Sequence, residues 1–241
     1  MTDVAKQVPA GTTLTLAIDI GGTGLKASIL DEQGEMLTER VRVDTPDHAK
    51  PTAIVETLAR LVQPLGRFDR VSVGFPGVVR NGRVLTAPNL GTAAWQEFDL
   101  AGVLSAALGK PVRVANDADI QGFAAISGHG VEVVITLGTG FGSSVFIDGR
   151  IGPHLELAHH PFRHGETYDQ QLGNAARKSI GGERWNKRVR KAIANLRTLT
   201  HFDRLYIGGG NAKKLTIDLE PGVSVVSNDA GMRGGIALWR G

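Results

Sequence analysis

The chain has 241 residues, 41% of them apolar, and a net charge of +3 from 27 basic and 24 acidic residues. This length can bury one large core or two smaller ones, and it fits two lobes of about 110 to 120 residues each. The absence of cysteine excludes disulfides, thiolate catalysis and the common zinc–cysteine sites. Without a run of about 18 apolar residues or an apolar leader in residues 1–11, we expect a soluble, cytoplasmic protein with no membrane partner.

Apolar runs and turn residues predict the elements of the first half of the chain. Strands are expected at 14–20, 25–30 and 36–43, followed by a helix at 52–62 and a strand at 71–75. Asn81 and Gly82 predict a hairpin turn. A helix at 100–108, a strand at 112–115 and a helix to about residue 126 follow, and Asp119 is the predicted N-cap of that last helix.

The order of elements starts again at Val131, which indicates two halves built on one plan. Strands are predicted at 131–137, 143–147, just after Gly149, 205–207 and 223–226, with a closing helix at 230–238. A helix at 183–199 has apolar residues near helical spacing. These residues are predicted to pack in the core: Trp185, Val189, Ile193, Leu196 and Leu199.

Three glycine-rich turns each follow an apolar, strand-like run. They read LAIDIGGTGLK (residues 16–26), VVITLGTGFGSS (133–144) and LYIGGGN (205–211). A strand that delivers a carboxylate, hydroxyls and bare backbone amides to one place supplies what an oligophosphate and its cation require. Neither of the first two turns has the Walker spacing, and the residues after Gly142 continue as a strand, whereas a dinucleotide-binding turn opens a helix. The three turns together favour phosphoryl transfer.

A basic cluster lies between residues 177 and 191. Its seven members are Arg177, Lys178, Arg184, Lys187, Arg188, Arg190 and Lys191. Such a cluster is either a solvated helix face or a surface that attracts a polyanion.

The turns and their order resemble the ROK sugar kinases, within the acetate and sugar kinase, Hsp70 and actin superfamily. Residues 19–26 resemble the first phosphate motif, 74–77 the connecting segment, 137–140 the second phosphate motif and 208–211 the nucleoside-side turn. The short chain without the family's zinc-binding cysteines resembles the polyphosphate glucokinase branch, so no zinc is expected. The resemblance implies an α/β fold with two ribonuclease H-like lobes and a central cleft, the actin-like ATPase and sugar kinase fold. Residues 1–115 would form the first lobe, completed by a helix at 229–241, and residues 116–228 the second.

The resemblance also implies roles for individual residues. Asn89, Asn116, Glu156 and His159 would bind the sugar, and Asp19 would hold Mg²⁺. The donor, ATP or inorganic polyphosphate, would contact Gly21, Gly22, Thr23, Lys26, Gly138, Thr139, Gly140, Gly208, Gly209 and Gly210. Asp117 follows a parallel-type strand and can accept a proton from a sugar hydroxyl, which makes it the predicted catalytic base; its alternative role is a helix cap. The basic cluster would then extend the donor track.

Several alternatives remain at this point. His154, His159, His160 and His164 lie within eleven residues and raise the possibility of a metal site. A sugar-sensing ROK regulator would carry an N-terminal helix-turn-helix module, for which the dozen residues before the first strand leave no room, and a chaperone-like ATPase would need a substrate domain. A kinase for another hexose that uses only ATP is a further alternative to a glucokinase. The family resemblance implies a homodimer and no nucleic-acid partner.

Overall fold

The computed structural model describes residues 9, 11–46, 50–88, 90–152, 155–226 and 233–240. The chain forms two compact units, which divide between Ile120 and Gln121 and again between Ala230 and Gly231. Asn116 and Asp117 therefore belong to the first unit. In the described ranges no helix combines the length and apolar character needed to cross a membrane.

The first unit is built on a five-stranded sheet with helices beside it. Its elements are β1 (Thr15–Ile20), β2 (Leu25–Leu30), β3 (Val41–Val43), α1 (Pro51–Val62), β4 (Arg70–Phe75), β5 (Val79–Arg80), β6 (Arg83–Val84), β7 (Phe98–Asp99), α2 (Leu100–Leu108), β8 (Val112–Asn116) and α3 (Asp117–Phe123), which continues across the division. The strand order is β3-β2-β1-β4-β8, with β1, β4 and β8 parallel and β2 antiparallel to its neighbours. A small sheet, β5-β6-β7, contains the predicted hairpin at Asn81 and Gly82.

Both faces of β1 are buried, which explains its nearly continuous apolar sequence. Leu16, Ile18 and Ile20 pack into a core with residues of α1 and α2. Ala17 points the other way, because successive strand residues alternate faces, and it packs in a second cluster with Ile236 of the C-terminal segment.

The second unit repeats the sheet plan of the first. Its elements are β9 (Val131–Leu137), β10 (Phe141–Ile147), β11 (Arg150–Ile151), β12 (Pro161–Arg163), β13 (Glu166–Thr167), α4 (Tyr168–Leu172), α5 (Asn174–Ile180), α6 (Gly182–Thr200), β14 (Arg204–Gly208) and β15 (Val223–Val225). The order is β11-β10-β9-β14-β15. In each sheet an antiparallel meander pairs through its first strand with a parallel strand. The predicted α/β fold class is confirmed.

Two predicted elements differ in the structure. The strand expected at 36–43 is reduced to Val41–Val43, with one isolated bridge at Met36. The side chain of Thr38 explains the interruption, because its hydroxyl accepts the N–H of Ile29, a bond that a strand would make through its backbone. The closing helix is a 3-10 helix at Arg233–Trp239, and residues 230–232 lie outside the described ranges. Gly234 and Gly235 disfavour a regular α-helix there.

The C-terminal segment is tied to β4 by a chain of hydrogen bonds. Ser72 donates its hydroxyl proton to the carbonyl of Gly235 at 2.7 Å and accepts the indole N–H of Trp239 at 2.9 Å. The guanidinium of Arg113 lies 4.5 Å from the centre of the Trp239 ring, within the range of a cation–π interaction. The segment thus seals the sheet face opposite α1 and α2.

Helix α6 supplies most of the second unit's helical core. Trp185, Val189, Ile193 and Leu196 are buried as predicted, and the indole N–H of Trp185 donates to the carbonyl of Leu172 at 2.8 Å. The prediction for Leu199 is wrong, because its side chain is 65% exposed. Successive residues of an α-helix are rotated by about 100° around its axis, which places Leu199 at the edge of the buried face of α6. Leu199 is also in the last turn of the helix.

We expect Leu196→Ala and Leu199→Ala to separate the buried from the exposed leucine of α6. Truncation at Leu196 leaves a cavity and should cost about 2–5 kcal/mol, whereas truncation at exposed Leu199 should change stability by less than about 0.5 kcal/mol. Urea unfolding followed by circular dichroism measures both. Equal losses would contradict the observed orientation of α6.

Candidate active site

Three parallel strands of the first unit end at the same edge of the sheet. Asp19 of β1 pairs with Gly74 of β4, and Phe75 of β4 pairs with Asn116 of β8. The side chains that follow these strands are therefore neighbours, at the edge where open α/β sheets bind ligands. Asp19 lies nearly a hundred residues before Asn116 and Asp117 in the sequence, and the strand pairing brings it to the same sheet edge as those two residues.

Asp19 is held by a lysine on the adjacent strand. Asp19 and Lys26 are direct partners in the β1–β2 register, and the lysine Nζ lies 2.8 Å from Asp19 Oδ2. Both side chains are about one-third exposed, at 30% and 33%. The glycine turn between the strands closes through a hydrogen bond from the amide of Gly21 to the carbonyl of Gly24 at 3.0 Å. Gly22 and Thr23 lie exposed at its tip.

Asn116 fixes the junction between β8 and α3. Its Nδ2 donates to the carbonyl of Gly77 at 3.0 Å, and its Oδ1 accepts the amide N–H of Ala118 at 2.8 Å. Accepting an N–H of the first turn is the role of an N-cap, so the prediction of Asp119 as the cap is wrong. Asp119 lies buried within the first turn, because the helix starts three residues earlier than that prediction requires.

The Asp117 carboxyl has a pKa near neutral pH. Burial raises its pKa from 3.8 to about 7, and the negative charge of Asp19 adds to the effect. Its Oδ1 also accepts the amide N–H of Ala118 at 2.8 Å, which works in the opposite direction. A carboxylate with a pKa close to the working pH is well suited to accept a proton in a reaction.

Two glycine turns lie side by side at the strand ends of the second unit. Gly208 of β14 pairs with Thr136 of β9, so the turns that follow both strands are adjacent. Asn211 joins them, since its amide donates to the carbonyl of Leu137 at 2.8 Å and its Nδ2 to the carbonyl of Gly138 at 2.9 Å. Gly209 has φ +89° and a Cβ there would come within 2.3 Å of the Leu137 backbone. The approach of the two turns therefore requires glycine at this position.

Asp169 supports the turn at 138–140 and was not identified from the sequence. Its Oδ1 accepts the amide N–H of Phe141 at 2.8 Å, and a Cβ on Gly140 would lie 2.1 Å from the same oxygen. Asp169 stands in the first turn of α4, whose start is fixed by a capping box of Thr167 and Gln170. This Thr-x-x-Gln pattern is the sequence signal that could have located it.

Two further predicted sugar-binding residues, Glu156 and His159, lie close to each other. Glu156 and His159 are in the second unit, with 3.6 Å between Glu156 Oε2 and His159 Nε2, around the 3-10 turn at Leu157–His159. Asn89, predicted to bind the sugar, and His154 of the histidine cluster lie outside the described residues.

The histidines at 159–164 have individual polar contacts. Within the described ranges, no group of three or more histidine, aspartate or glutamate side chains is arranged to hold a metal ion. His160 Nδ1 lies 2.9 Å from the carbonyl oxygen of Pro161, and His164 Nε2 lies 3.0 Å from the Arg163 guanidinium. The two rings thus have separate partners.

Comparison with known proteins identifies the family. The model of the ROK family matches residues 15–164. The chain belongs to the ROK family. It is 30% identical over 219 residues to a polyphosphate glucokinase of Mycobacterium tuberculosis (strain CDC 1551 / Oshkosh), a match that covers 86% of this chain and 82% of the relative.

Solved structures similar to this chain also support its place in the ROK family. The inorganic polyphosphate/ATP-glucomannokinase from Arthrobacter sp. strain KM superposes with a TM-score of 0.82 at 32% identity, over 94% of this chain and 99% of that one. A ROK family glucokinase from Streptomyces griseus, crystallised with glucose and AMPPNP, shares the fold with a TM-score of 0.72 at 22% identity, over 96% of this chain and 100% of that one. The predicted resemblance to ROK sugar kinases of the polyphosphate glucokinase branch is confirmed.

We expect Asp117→Asn to alter how the stability of this ROK protein depends on pH. Between pH 3.8 and about 7 the folded carboxyl holds a proton that the unfolded chain releases. The stability due to Asp117 is therefore full below the unfolded pKa and is lost as the pH rises through about 7, by up to about 4 kcal/mol.

Asparagine does not titrate but can still accept the Ala118 N–H. The variant should therefore gain stability relative to the parent as the pH rises from 4 to 8. Melting temperatures in magnesium-free buffer measure the difference, and parallel pH profiles for the two proteins would contradict the raised pKa.

Proposed function

We propose that this ROK protein transfers a phosphoryl group from inorganic polyphosphate, ATP or both to the 6-hydroxyl of glucose. That the chain is a sugar phosphotransferase follows from its polyphosphate glucokinase and glucokinase relatives. The observation that carries the proposal is the Asp117 carboxyl, with its pKa near 7, beside Asp19 at one edge of the first sheet. A proton acceptor and a second, charged carboxylate at one sheet edge suit phosphoryl transfer to an alcohol.

Asp117 is proposed to act as the general base. It takes the proton of the sugar hydroxyl while the hydroxyl oxygen forms a bond to the terminal phosphorus of the donor. The bond from that phosphorus to the bridging oxygen breaks, and the donor leaves shortened by one phosphate. Asn116, fixed by its bonds to Gly77 and Ala118, keeps the start of α3 in place beside this base.

Sugar recognition is assigned to amide, carboxylate and imidazole groups. Asn89 and Asn116 offer amide donors and acceptors to vicinal hydroxyls. Glu156 and His159, which lie within 3.6 Å of each other, supply an acceptor and a donor. The mycobacterial relative is named a polyphosphate glucokinase, which supports glucose as the hexose.

The glycine turns are proposed to hold the donor phosphates. Residues 21–23, 138–140 and 208–210 would bind phosphate oxygens through amides at the turn tips, since such amides form anion sites. The amides of Gly21 and Gly138 instead close their turns, by bonds to the carbonyls of Gly24 and Gly140. Thr23, Lys26 and Thr139 add side-chain donors, and the Lys26 ammonium supplies positive charge. Positioning and electrostatic stabilisation account for most of the catalysis in phosphoryl transfer.

Asp19 is proposed to hold Mg²⁺. A hard cation prefers carboxylate oxygen, and the Asp19 carboxylate is partly exposed, with its Oδ2 on Lys26. After burial, the negative charge of Asp19 also raises the pKa of Asp117, and a cation bound at Asp19 would offset that contribution. Bound there, Mg²⁺ would neutralise charge on the donor phosphates. The family resemblance also supports a homodimer as part of the proposal.

Formation of glucose 6-phosphate from glucose and magnesium tests the function directly. We expect product with long-chain polyphosphate as sole donor, and ATP tested alone defines whether the enzyme has one donor or two. Product with ATP only would contradict polyphosphate use and leave a sugar kinase. Product with neither donor, across a panel of hexoses, would overturn the kinase and favour a sugar-binding regulator.

Asp117→Asn tests the base. We expect turnover to fall by about 10²- to 10⁴-fold, with glucose affinity retained, because the amide keeps the side-chain shape but cannot take the proton. Steady-state kinetics and calorimetric glucose binding give the two values. Glu56→Gln, an exposed carboxylate change on α1, is the matched control and should be unaffected. Near-normal turnover in Asp117→Asn would exclude the assigned role.

A further inference from the structure

Members of the basic cluster predicted from residues 177–191 have different kinds of partner in the structure. Lys187 Nζ bonds Glu183 Oε1 at 2.8 Å, which neutralises it locally. Arg177 donates to Asn174 Oδ1 at 3.4 Å. Arg188, half-buried, donates to the carbonyl of Gln171 at 3.4 Å, which fixes its side chain against α4 without cancelling its charge.

The β12–β13 hairpin adds a further arginine to this surface. Lys191 Nζ of α6 lies 6.0 Å from the centre of the Phe162 ring, which connects the hairpin with the helix. Arg163 follows Phe162 in β12, and its guanidinium lies 3.0 Å from His164 Nε2 in the hairpin turn. The hairpin was not predicted from the sequence, so Arg163 could not be grouped with the helix.

Three guanidinium groups with like charge gather where the hairpin meets α6. Arg184 and Arg188 are four residues apart and share a helix face. The pKa of Arg188 is lowered by its partial burial and by the positive charges of Arg163 and Arg184, with Glu166 acting in the opposite sense. Such mutual repulsion is relieved when an anion binds among the cations.

A short series of contacts links this cluster to the turn at 138–140. Arg188 bonds the carbonyl of Gln171 in α4, and Trp185, one turn before Arg188 on α6, bonds that of Leu172. Two residues further on, the amide of Asn174 donates to the carbonyls of Gly138 and Thr139 at 3.0 and 3.1 Å. Only two residues of the chain, Leu172 and Gly173, lie between the carbonyl that Arg188 contacts and the amide that contacts the proposed donor turn.

We propose that Arg163, Arg184 and Arg188 bind the distal phosphates of a long polyphosphate chain whose terminal phosphate is transferred from the turn at 138–140. This inference rests on the proposed kinase function and assigns the site that distinguishes long donors from short ones. Guanidinium groups match phosphate oxygens in geometry and charge. The phosphate chain of ATP ends at its nucleoside. ATP with its terminal phosphate at the transfer site therefore has no further phosphates to place at the arginine site.

A polyphosphate fits the arginine site better than a nucleic acid does. Single-stranded nucleic-acid sites combine positive charge with exposed aromatic rings on which bases stack. Phe162, which precedes Arg163, and Tyr168, which packs against Phe162, are both buried. A repeating anion without bases needs only the cations.

The test compares Arg163→Gln/Arg184→Gln/Arg188→Gln with a control that loses the same charge elsewhere. The control is Arg60→Gln/Arg150→Gln/Arg204→Gln, which changes three exposed arginines outside the cluster. We expect the first variant to raise KM for long-chain polyphosphate at least tenfold, while kcat and KM for ATP and tripolyphosphate stay within twofold. The control should match the parent with all three donors.

Calorimetric binding of long-chain polyphosphate and of a single-stranded oligonucleotide provides a readout that needs no turnover. We expect the arginine variant to lose at least tenfold in polyphosphate affinity, with glucose affinity and melting temperature preserved. Unchanged polyphosphate affinity, or equal losses for polyphosphate and oligonucleotide, would overturn the site. If the parent forms no sugar phosphate, the kinase proposal fails, while polyphosphate binding still decides whether the arginines hold this ligand.

Discussion

The candidate chemistry depends on the parallel pairing of β1, β4 and β8. Because the three strands point the same way, the carboxylate that ends β1 and the one that follows β8 are brought to one sheet edge. Burial, together with the nearby negative charge of Asp19, raises the pKa of Asp117 to about 7. An aspartate with the ordinary pKa of 3.8 would be a weaker proton acceptor. The register of the sheet therefore contributes directly to the proposed reactivity. Packing on both sheet faces then keeps that register, since a slip of one residue would move Leu16, Ile18 and Ile20 to the face on which Ala17 packs.

Steric constraint has the corresponding role in the second unit. The two glycine turns approach so closely that Gly209 leaves no space for a Cβ beside Leu137, and Gly140 leaves none beside Asp169. Asn211 and Asp169 satisfy backbone groups of the neighbouring turn. Exposed amides can serve a ligand only when the rest of the turn is held in one conformation, and these two side chains provide that support.

Much of the fold and the positions of the glycine turns could be predicted because the signals are local. Apolar runs that end in glycine mark β1, β9 and β14, and helical spacing marks α6. Contacts between distant residues were not predictable: the hydroxyl of Thr38 interrupts a strand by bonding Ile29, and Asp169 bonds an amide 28 residues away. A carboxylate suits a helix start, which favours Asp119 as the cap in the sequence, whereas in the structure Asn116 at the end of β8 accepts the N–H of the first turn. Arg163 could be grouped with α6 only once the hairpin was known.

The repeated plan of the two sheets shows how one scaffold supports two different tasks. Asp19 precedes the first glycine turn by two residues, and Thr136 stands at the same position before the turn at 138–140. In both sheets this residue lies on the first strand of the meander, paired with the antiparallel neighbour. The equivalent position therefore carries a charge in the first unit and a neutral hydroxyl in the second. Since a second carboxylate would repel donor phosphates, the neutral residue suits a turn that binds phosphate through amides, while the charged one suits a cation. The proposed arginine site of Arg163, Arg184 and Arg188 agrees with this division, because it adds positive charge to the unit whose glycine turn at 138–140 is preceded by a neutral residue.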